Sequence, residues 1–201
     1  IGNKQPRIKM KTILLLGSPR KKSDSSALAA IVAKPLKDKG HEVITHRLND
    51  LQIRGCQACR ACKTTRESCI LSDDLAQVLE DIVHGDIIIM ATPVYWGEVS
   101  AQMKLLIDRL YSFLTPDFMT APIKHRLPPG KQLVFIQTQG ATEQQLYGEI
   151  FQRYNTFFEA IGFFEKSYLI RGCGLGEQSP LETFPELMEE AAATAGMLLE
   201  Q

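Results

Sequence analysis

The stretch Asp86-Ile-Ile-Ile-Met-Ala91 constrains this chain most, because it is apolar at consecutive positions and so reads as a central strand covered on both faces. The neighbouring sequence supplies elements of the same kind. Lys11 to Leu16 is a second buried strand, and His41 to Arg47, Lys131 to Gln137 and Phe163 to Arg171 are further strands. Between them lie stretches of helical period. Ser25 to Lys39 carries Leu28, Ile31, Val32 and Leu36 at helical spacing and is stopped by Gly40. Asp74 to Val83 is a helix for which Ser72, Asp73 and Asp74 are expected to satisfy the unpaired amides at its start. Ser100 to Phe113, Thr142 to Ile161 and Leu181 to Leu199 complete the helices.

Strand and helix alternating in this way require right-handed crossovers and a parallel sheet with helices on both faces. The predicted class is α/β, a three-layer flavodoxin-like fold with five parallel strands in the order 2-1-3-4-5. No internal repeat or low-complexity tract interrupts it. Residues 10–201 are expected to form a single domain with a cysteine-rich loop at 54–72, and residues 1–9, before Met10, a flexible N-terminal extension. The 23 basic and 23 acidic side chains balance, which argues against a nucleic-acid binder. No apolar run approaches the roughly 18 residues of a membrane span, and the polar opening is not expected to act as a signal peptide. The expectation is a cytoplasmic protein with neither nucleic acid nor membrane as partner.

In such a fold, ligands bind beyond the carboxyl ends of the strands. The first of these loops, Gly17-Ser-Pro-Arg-Lys-Lys-Ser-Asp-Ser-Ser26, has neither a three-glycine dinucleotide turn nor a nucleotide P-loop. It offers hydroxyls, three cations and a helix amino end, which suit one phosphomonoester. A polar loop with a serine-rich cap is the plainer alternative. The loop after the third strand, Thr92-Pro-Val-Tyr-Trp-Gly-Glu98, sets two aromatics beside a proline and a glycine, a surface for a planar heterocycle. Thr138-Gln-Gly-Ala141 after the fourth strand is a candidate for the remaining wall.

Cys56, Cys59, Cys62 and Cys69 crowd into one loop, and only Cys173 lies elsewhere. Three thiols at one tight spacing with a fourth close behind is ligand spacing for an iron–sulfur cluster. A zinc site, local disulfides and ordinary loop thiols are the alternatives. Cys173, at the end of the fifth strand, reads as a small buried thiol.

Taken together, Gly17-Ser-Pro-Arg20 with its serine-rich turn, the cysteine spacing leading into Asp73-Asp74, Pro93-Val-Tyr-Trp-Gly97 and Lys104-Leu-Leu-Ile-Asp-Arg109 resemble the NAD(P)H-dependent FMN reductase superfamily. Within it the chain is most similar to the iron–sulfur flavoproteins. The resemblance implies FMN, a homodimer or homotetramer, and a 4Fe-4S cluster on Cys56, Cys59, Cys62 and Cys69. It implies phosphate contacts at Ser18, Arg20, Ser23, Ser25 and Ser26, and a ring site bordered by Pro93, Val94, Tyr95, Trp96 and Gly97, with Gln139 and Gly140 at the wall. In this sequence Ser23-Asp-Ser25 replaces a common Gly-Asn-Thr, and brings the carboxylate of Asp24 near the phosphate unless it turns away.

The function so implied is an FMN-dependent oxidoreductase passing electrons between NAD(P)H or a ferredoxin-like carrier and a small-molecule acceptor. A cluster-free NAD(P)H-dependent FMN or quinone reductase is the alternative, and a non-catalytic redox-sensing flavin and thiol module is a reading of another class. The chemistry is flavin-borne, and His41, His46, His84 and His125 form no acid–base motif. Lys104 and Asp108 suggest a weak exposed pair. The proline-rich stretch Thr115 to Gly130 suggests a lid or an interface arm.

Overall fold

The computed structural model describes residues 9–200; the expectation of a flexible N-terminal extension falls on residues that, apart from Lys9, lie outside this range. Five parallel strands, β1 (Lys11–Leu16), β2 (Glu42–Arg47), β3 (Ile87–Tyr95), β5 (Gln132–Thr138) and β6 (Lys166–Gly172), are ordered β2-β1-β3-β5-β6. This is the expected flavodoxin-like order. The two-residue β4 (Glu98–Val99) folds back antiparallel on β3. The helices are α1 (Asp24–Asp38), α2 (Ala61–Thr64), α3 (Leu75–His84), α4 (Ala101–Arg109), α5 (Glu149–Ile161) and α6 (Pro185–Leu199).

Alternation along the strands divides the core in two. Ile13, Leu15, Ile88, Met90, Leu133 and Phe135 face α3, α4 and α5, whereas Leu14, Leu16, Ile87, Ile89, Val134 and Ile136 face α1 and α6. Because every central strand is covered twice, β5 is buried along its whole length. Among the described residues no helix is long and apolar enough to cross a membrane.

Three local expectations are corrected. First, β3 continues past Ala91 to Tyr95, and Trp96 and Gly97 form a two-residue turn into β4 with φ of 51° and 73°. Two positive φ values match the primed turns that suit hairpin twist, and glycine is the residue that adopts one freely. Second, the helix expected from Thr142 begins only at Glu149. The carbonyls of the preceding loop are taken by side chains instead: Arg171 donates to those of Gln144 and Leu146, Gln137 to that of Tyr147, and Gln139 to those of Ala141, Glu143 and Leu146. Third, the Asp74 side chain does not cap α3 as a start-of-helix oxygen was expected to do, and that role is left to Asp73, which accepts the Leu75 N–H. Their carboxylates hold the incoming chain: Asp74 accepts the Gln52 N–H at 2.7 Å and Asp73 the Arg54 N–H at 2.9 Å.

Candidate functional site

The phosphate-type loop is held from below by its neighbours. The Gly17 N–H donates to the Ala91 carbonyl at 2.8 Å, and the Ser100 hydroxyl donates to the Gly17 carbonyl at 2.7 Å. Ser100 also caps α4 by accepting from Met103 N–H, while its own N–H donates to the Thr92 hydroxyl. The ends of β1 and β3 and the start of α4 are thereby tied through one buried serine. A Cβ on residue 17 would stand 2.8 Å from Ser100 Oγ and 3.1 Å from Met103 Cβ, so the close approach needs glycine there.

Above this base Ser23 is the N-cap of α1 and accepts the Ser26 N–H. The first-turn amides ahead of it have no acceptor inside the helix and point toward the loop. Ser18 is buried and accepts the Arg20 N–H at 3.3 Å. Arg47 of β2 braces the same loop by donating to the carbonyls of Arg20 and Lys21. Asp24 does turn away, since its Oδ1 accepts the Leu181 N–H at 3.1 Å.

These groups border a cavity of about 600 Å³ at the carboxyl ends of β1, β3, β5 and β6. Ser18, Arg20 and Ser23 form its polar end, Pro93, Val94 and Tyr95 one wall, and Gln139 and Gly140 another. That volume lies in the range of small-molecule and cofactor sites. Four expected residues do not line it. Ser25 is fully buried under the helix cap, and Ser26 bonds the Ser23 hydroxyl. Trp96 is fully exposed and Gly97 packs toward Tyr147, since both belong to the hairpin turn beyond the wall. Glu98 fixes that hairpin by accepting from the Tyr154 hydroxyl at 3.0 Å and from Arg153 at 2.7 Å. Burial, together with Glu98, holds the Tyr154 hydroxyl protonated well above the ordinary tyrosine range.

Thr138 lines the cavity as expected of its loop, whereas sequence reasoning missed the loop Gly174 to Ser179, which closes the side of the cavity next to β6. The signal available was the Gly-x-Gly spacing of Gly174 and Gly176 directly after the last strand. The Gln139 side chain spends its amide on carbonyls of its own loop, so it shapes the wall from behind.

The profile of the family described as NADPH-dependent FMN reductase matches residues 10–146, a span that contains β1, the phosphate-type loop, the β3 wall and the β5 loop. The chain belongs to this family. An iron-sulfur flavoprotein of Archaeoglobus fulgidus is 37% identical over 100 residues, 50% of this chain and 48% of that protein. One from Methanosarcina thermophila is 34% identical over 100 residues, 50% of this chain and 52% of that protein. The chain thus spans about half the length of the curated relatives it matches. Among solved structures, an NAD(P)H:quinone oxidoreductase from Methanothermobacter marburgensis superposes with a TM-score of 0.68 at 17% identity, covering 94% of this chain and 98% of that one. An FMN-dependent NADH-azoreductase from Bacillus anthracis, in complex with FMN, gives 0.69 at 15% identity, covering 94% and 99%. At such identities these structures bear on the fold.

The cysteine loop corrects the largest expectation. After β2 the loop crosses to the α4 side. Gly55 packs against Leu105, Arg126 donates to the Cys62 carbonyl, and Lys63 donates to the carbonyls of Tyr111 and Leu114. Ala58 and Arg60 take positive φ, and the chain so turned leaves Cys56 and Cys59 exposed, Cys69 half-buried and Cys62 buried. The cleft they share with Arg109, Tyr111 and Ser112 measures about 30 Å³, room for about two waters. Among the described residues no group of three or more His, Cys, Asp or Glu side chains is placed to hold a metal ion. The expected 4Fe-4S cluster on Cys56, Cys59, Cys62 and Cys69 is therefore overturned, and with it the iron–sulfur form of the function.

The remaining expectations find places outside the cavity. Lys104 and Asp108 form the exposed pair at 2.5 Å. The stretch from Thr115 to Gly130 contributes nothing to the cavity lining; it docks by Lys124 on the Ala160 carbonyl at the end of α5. Cys173 is half-buried.

Proposed function

We propose that this chain is an FMN-dependent oxidoreductase that accepts electrons from NAD(P)H and delivers them to a quinone or flavin acceptor. The observation that carries the reading is one cavity joining a phosphate-suited end at Ser18, Arg20 and Ser23 to the wall of Pro93, Val94 and Tyr95, in a member of the FMN reductase family. The residues fit the group. A phosphomonoester needs hydroxyl and amide donors, a cation and a helix amino end, and the α1 start provides all three. A flat heterocycle needs apolar area and close backbone approach, and the β3 wall provides both.

When bound, FMN supplies transfer of electrons singly or in pairs. The work of the chain is to hold and shield it. Ser18, Ser23 and Arg20 orient the phosphate, and Asp24 turns one carboxylate oxygen away from it onto the Leu181 N–H. Ser100 keeps the phosphate loop and the ring wall at fixed separation by joining Gly17 to Thr92. We extend the reading to a single domain over residues 10–201 and to a homodimer or homotetramer, supported by the exposed Trp96, Met119, Ile123 and Phe157; light scattering measures that state. Titration of the flavin-free protein with FMN tests the site. Saturable binding near one FMN per chain, weakened by Arg20→Gln, supports the assignment, and absence of saturable binding refutes it.

A further inference from the structure

The loop after β6 stands on two buried feet, Leu175 and Leu181. Leu175 packs so closely on Gly172 that a Cβ there would stand 2.2 Å from its Cδ1. The base is pinned by the Gly174 N–H on the Ala141 carbonyl and by the Leu175 N–H on that of Gln139. Between the feet Gly176 and Ser179 exchange both backbone hydrogen bonds at 3.0 Å, which closes a tight turn with Glu177 and Gln178 at its tip. That tip lines the mouth of the main cavity.

A carboxylate oxygen of Glu177 lies 4.0 Å from the Arg20 guanidinium, with the side chains 88% and 58% exposed. Arg20 is the guanidinium at the phosphate-suited end. Carboxylate and phosphate offer a guanidinium the same planar, two-point recognition, so they compete for it. Asp24, the other acidic side chain of the lining, is committed to the Leu181 N–H. Glu177 has no such tether and sits on a turn whose flanking glycine has open space around it.

We propose that Glu177 is an anion gate: its carboxylate competes with the ligand phosphate for Arg20 and thereby sets how strongly the site prefers a phosphorylated flavin over an unphosphorylated one. The proposal rests on the reading of this cavity as an FMN site. As a phosphate enters, Arg20 exchanges one anion for the other and the tip is released from the loop that follows β1. The neutral flavin ring makes no demand on Arg20, so the gate acts on the phosphate alone.

The test compares the full chain with Glu177→Gln, Arg20→Gln and the double variant, each titrated with FMN and with riboflavin, and each heated with and without inorganic phosphate. The exposed position of Glu177 keeps the substitution clear of the core. An exposed pair of this kind corresponds to a change of up to about fivefold. Glu177→Gln is expected to tighten FMN by about two- to fivefold, to leave riboflavin unchanged, and to have no effect once Arg20 is glutamine. Unchanged FMN affinity, an equal shift for both flavins, or an effect that persists without Arg20 overturns the gate. If the wild-type chain binds neither flavin, the cofactor reading fails by itself and phosphate decides: greater thermal stabilisation of Glu177→Gln by phosphate, dependent on Arg20, upholds the gate, and equal stabilisation overturns it.

Discussion

Replacing Asp73 by asparagine removes the carboxylate that anchors the cysteine loop. The Arg109 side chain is fully buried, its guanidinium donates to Asp73 at 2.9 and 3.1 Å, and Asp73 also accepts the Arg54 N–H. Burial alone would raise the carboxyl pKa, but the hydrogen bonds from Arg109 and Arg54 and the Arg109 charge outweigh it and hold the group below the ordinary range. Breaking a buried pair by removing one partner costs about 3–5 kcal/mol. The carbonyls of Arg54 and Leu71 still receive Arg109, which puts Asp73→Asn near the lower end. For a chain of this size a loss of about 3 kcal/mol lowers Tm by roughly 6–12 °C. A depressed carboxyl pKa contributes stability that is complete above the unfolded value, near 3.9, and disappears as pH falls through the lower folded value. The gap between wild type and Asp73→Asn should therefore be constant above about pH 5 and close toward the acid limit. Thermal unfolding scanned against pH, with Arg109→Met and the double variant completing the cycle, measures both quantities. A Tm difference of less than about 2 °C, or a gap that does not narrow in acid, refutes the assignment of Asp73 and Arg109 as the anchor.

Other outcomes follow from the same geometry. Gly17→Ala forces Ser100 and Met103 apart and should lower stability by about 1–3 kcal/mol while weakening FMN, read by unfolding and by titration. Lys131, buried and donating to the carbonyls of Val83 and Gly85, has its pKa lowered by burial to about 8. The unfolded chain keeps that proton to about pH 10.4, so the contribution of Lys131 to stability should rise between about pH 8 and 10.4 and be absent in Lys131→Met, as measured by denaturant unfolding against pH. Iodoacetamide should modify the exposed Cys56 and Cys59 well before the buried Cys62, as peptide mass spectrometry will show. Trp96 is the sole tryptophan and is fully exposed, so emission typical of a solvated indole, open to acrylamide quenching, is expected.

The layered fold was legible because its signals are local and repeated. A strand such as Ile87–Tyr95, buried for most of its length, opens on an unbroken apolar run from Ile87 to Ala91, and the helices show a helical period. The two outer loops of the candidate site were legible for a related reason, since hydroxyls, cations and aromatics after strands mark ligand ends. What sequence did not disclose depends on partners far along the chain. Nothing near Thr142 announces that Gln137, Gln139 and Arg171 will take its loop carbonyls and delay α5 to Glu149. The acidic pair before α3 has the composition of a helix cap, and Asp73 does take the Leu75 N–H, yet Arg109 and the backbone at residues 52 and 54 claim the pair as well. Cysteine spacing gave the separation of the thiols along the chain but not their directions. Those are set by the left-handed turns at Ala58 and Arg60 and by docking of the loop on α4.

The most direct test of the account is steady-state oxidation of NADH and NADPH by the purified chain, with and without one equivalent of FMN, in the presence of a soluble quinone. The account predicts many turnovers per chain that require FMN and fall in Arg20→Gln through weaker flavin retention. Reduction of a single equivalent followed by arrest, or oxidation indifferent to FMN, would contradict it.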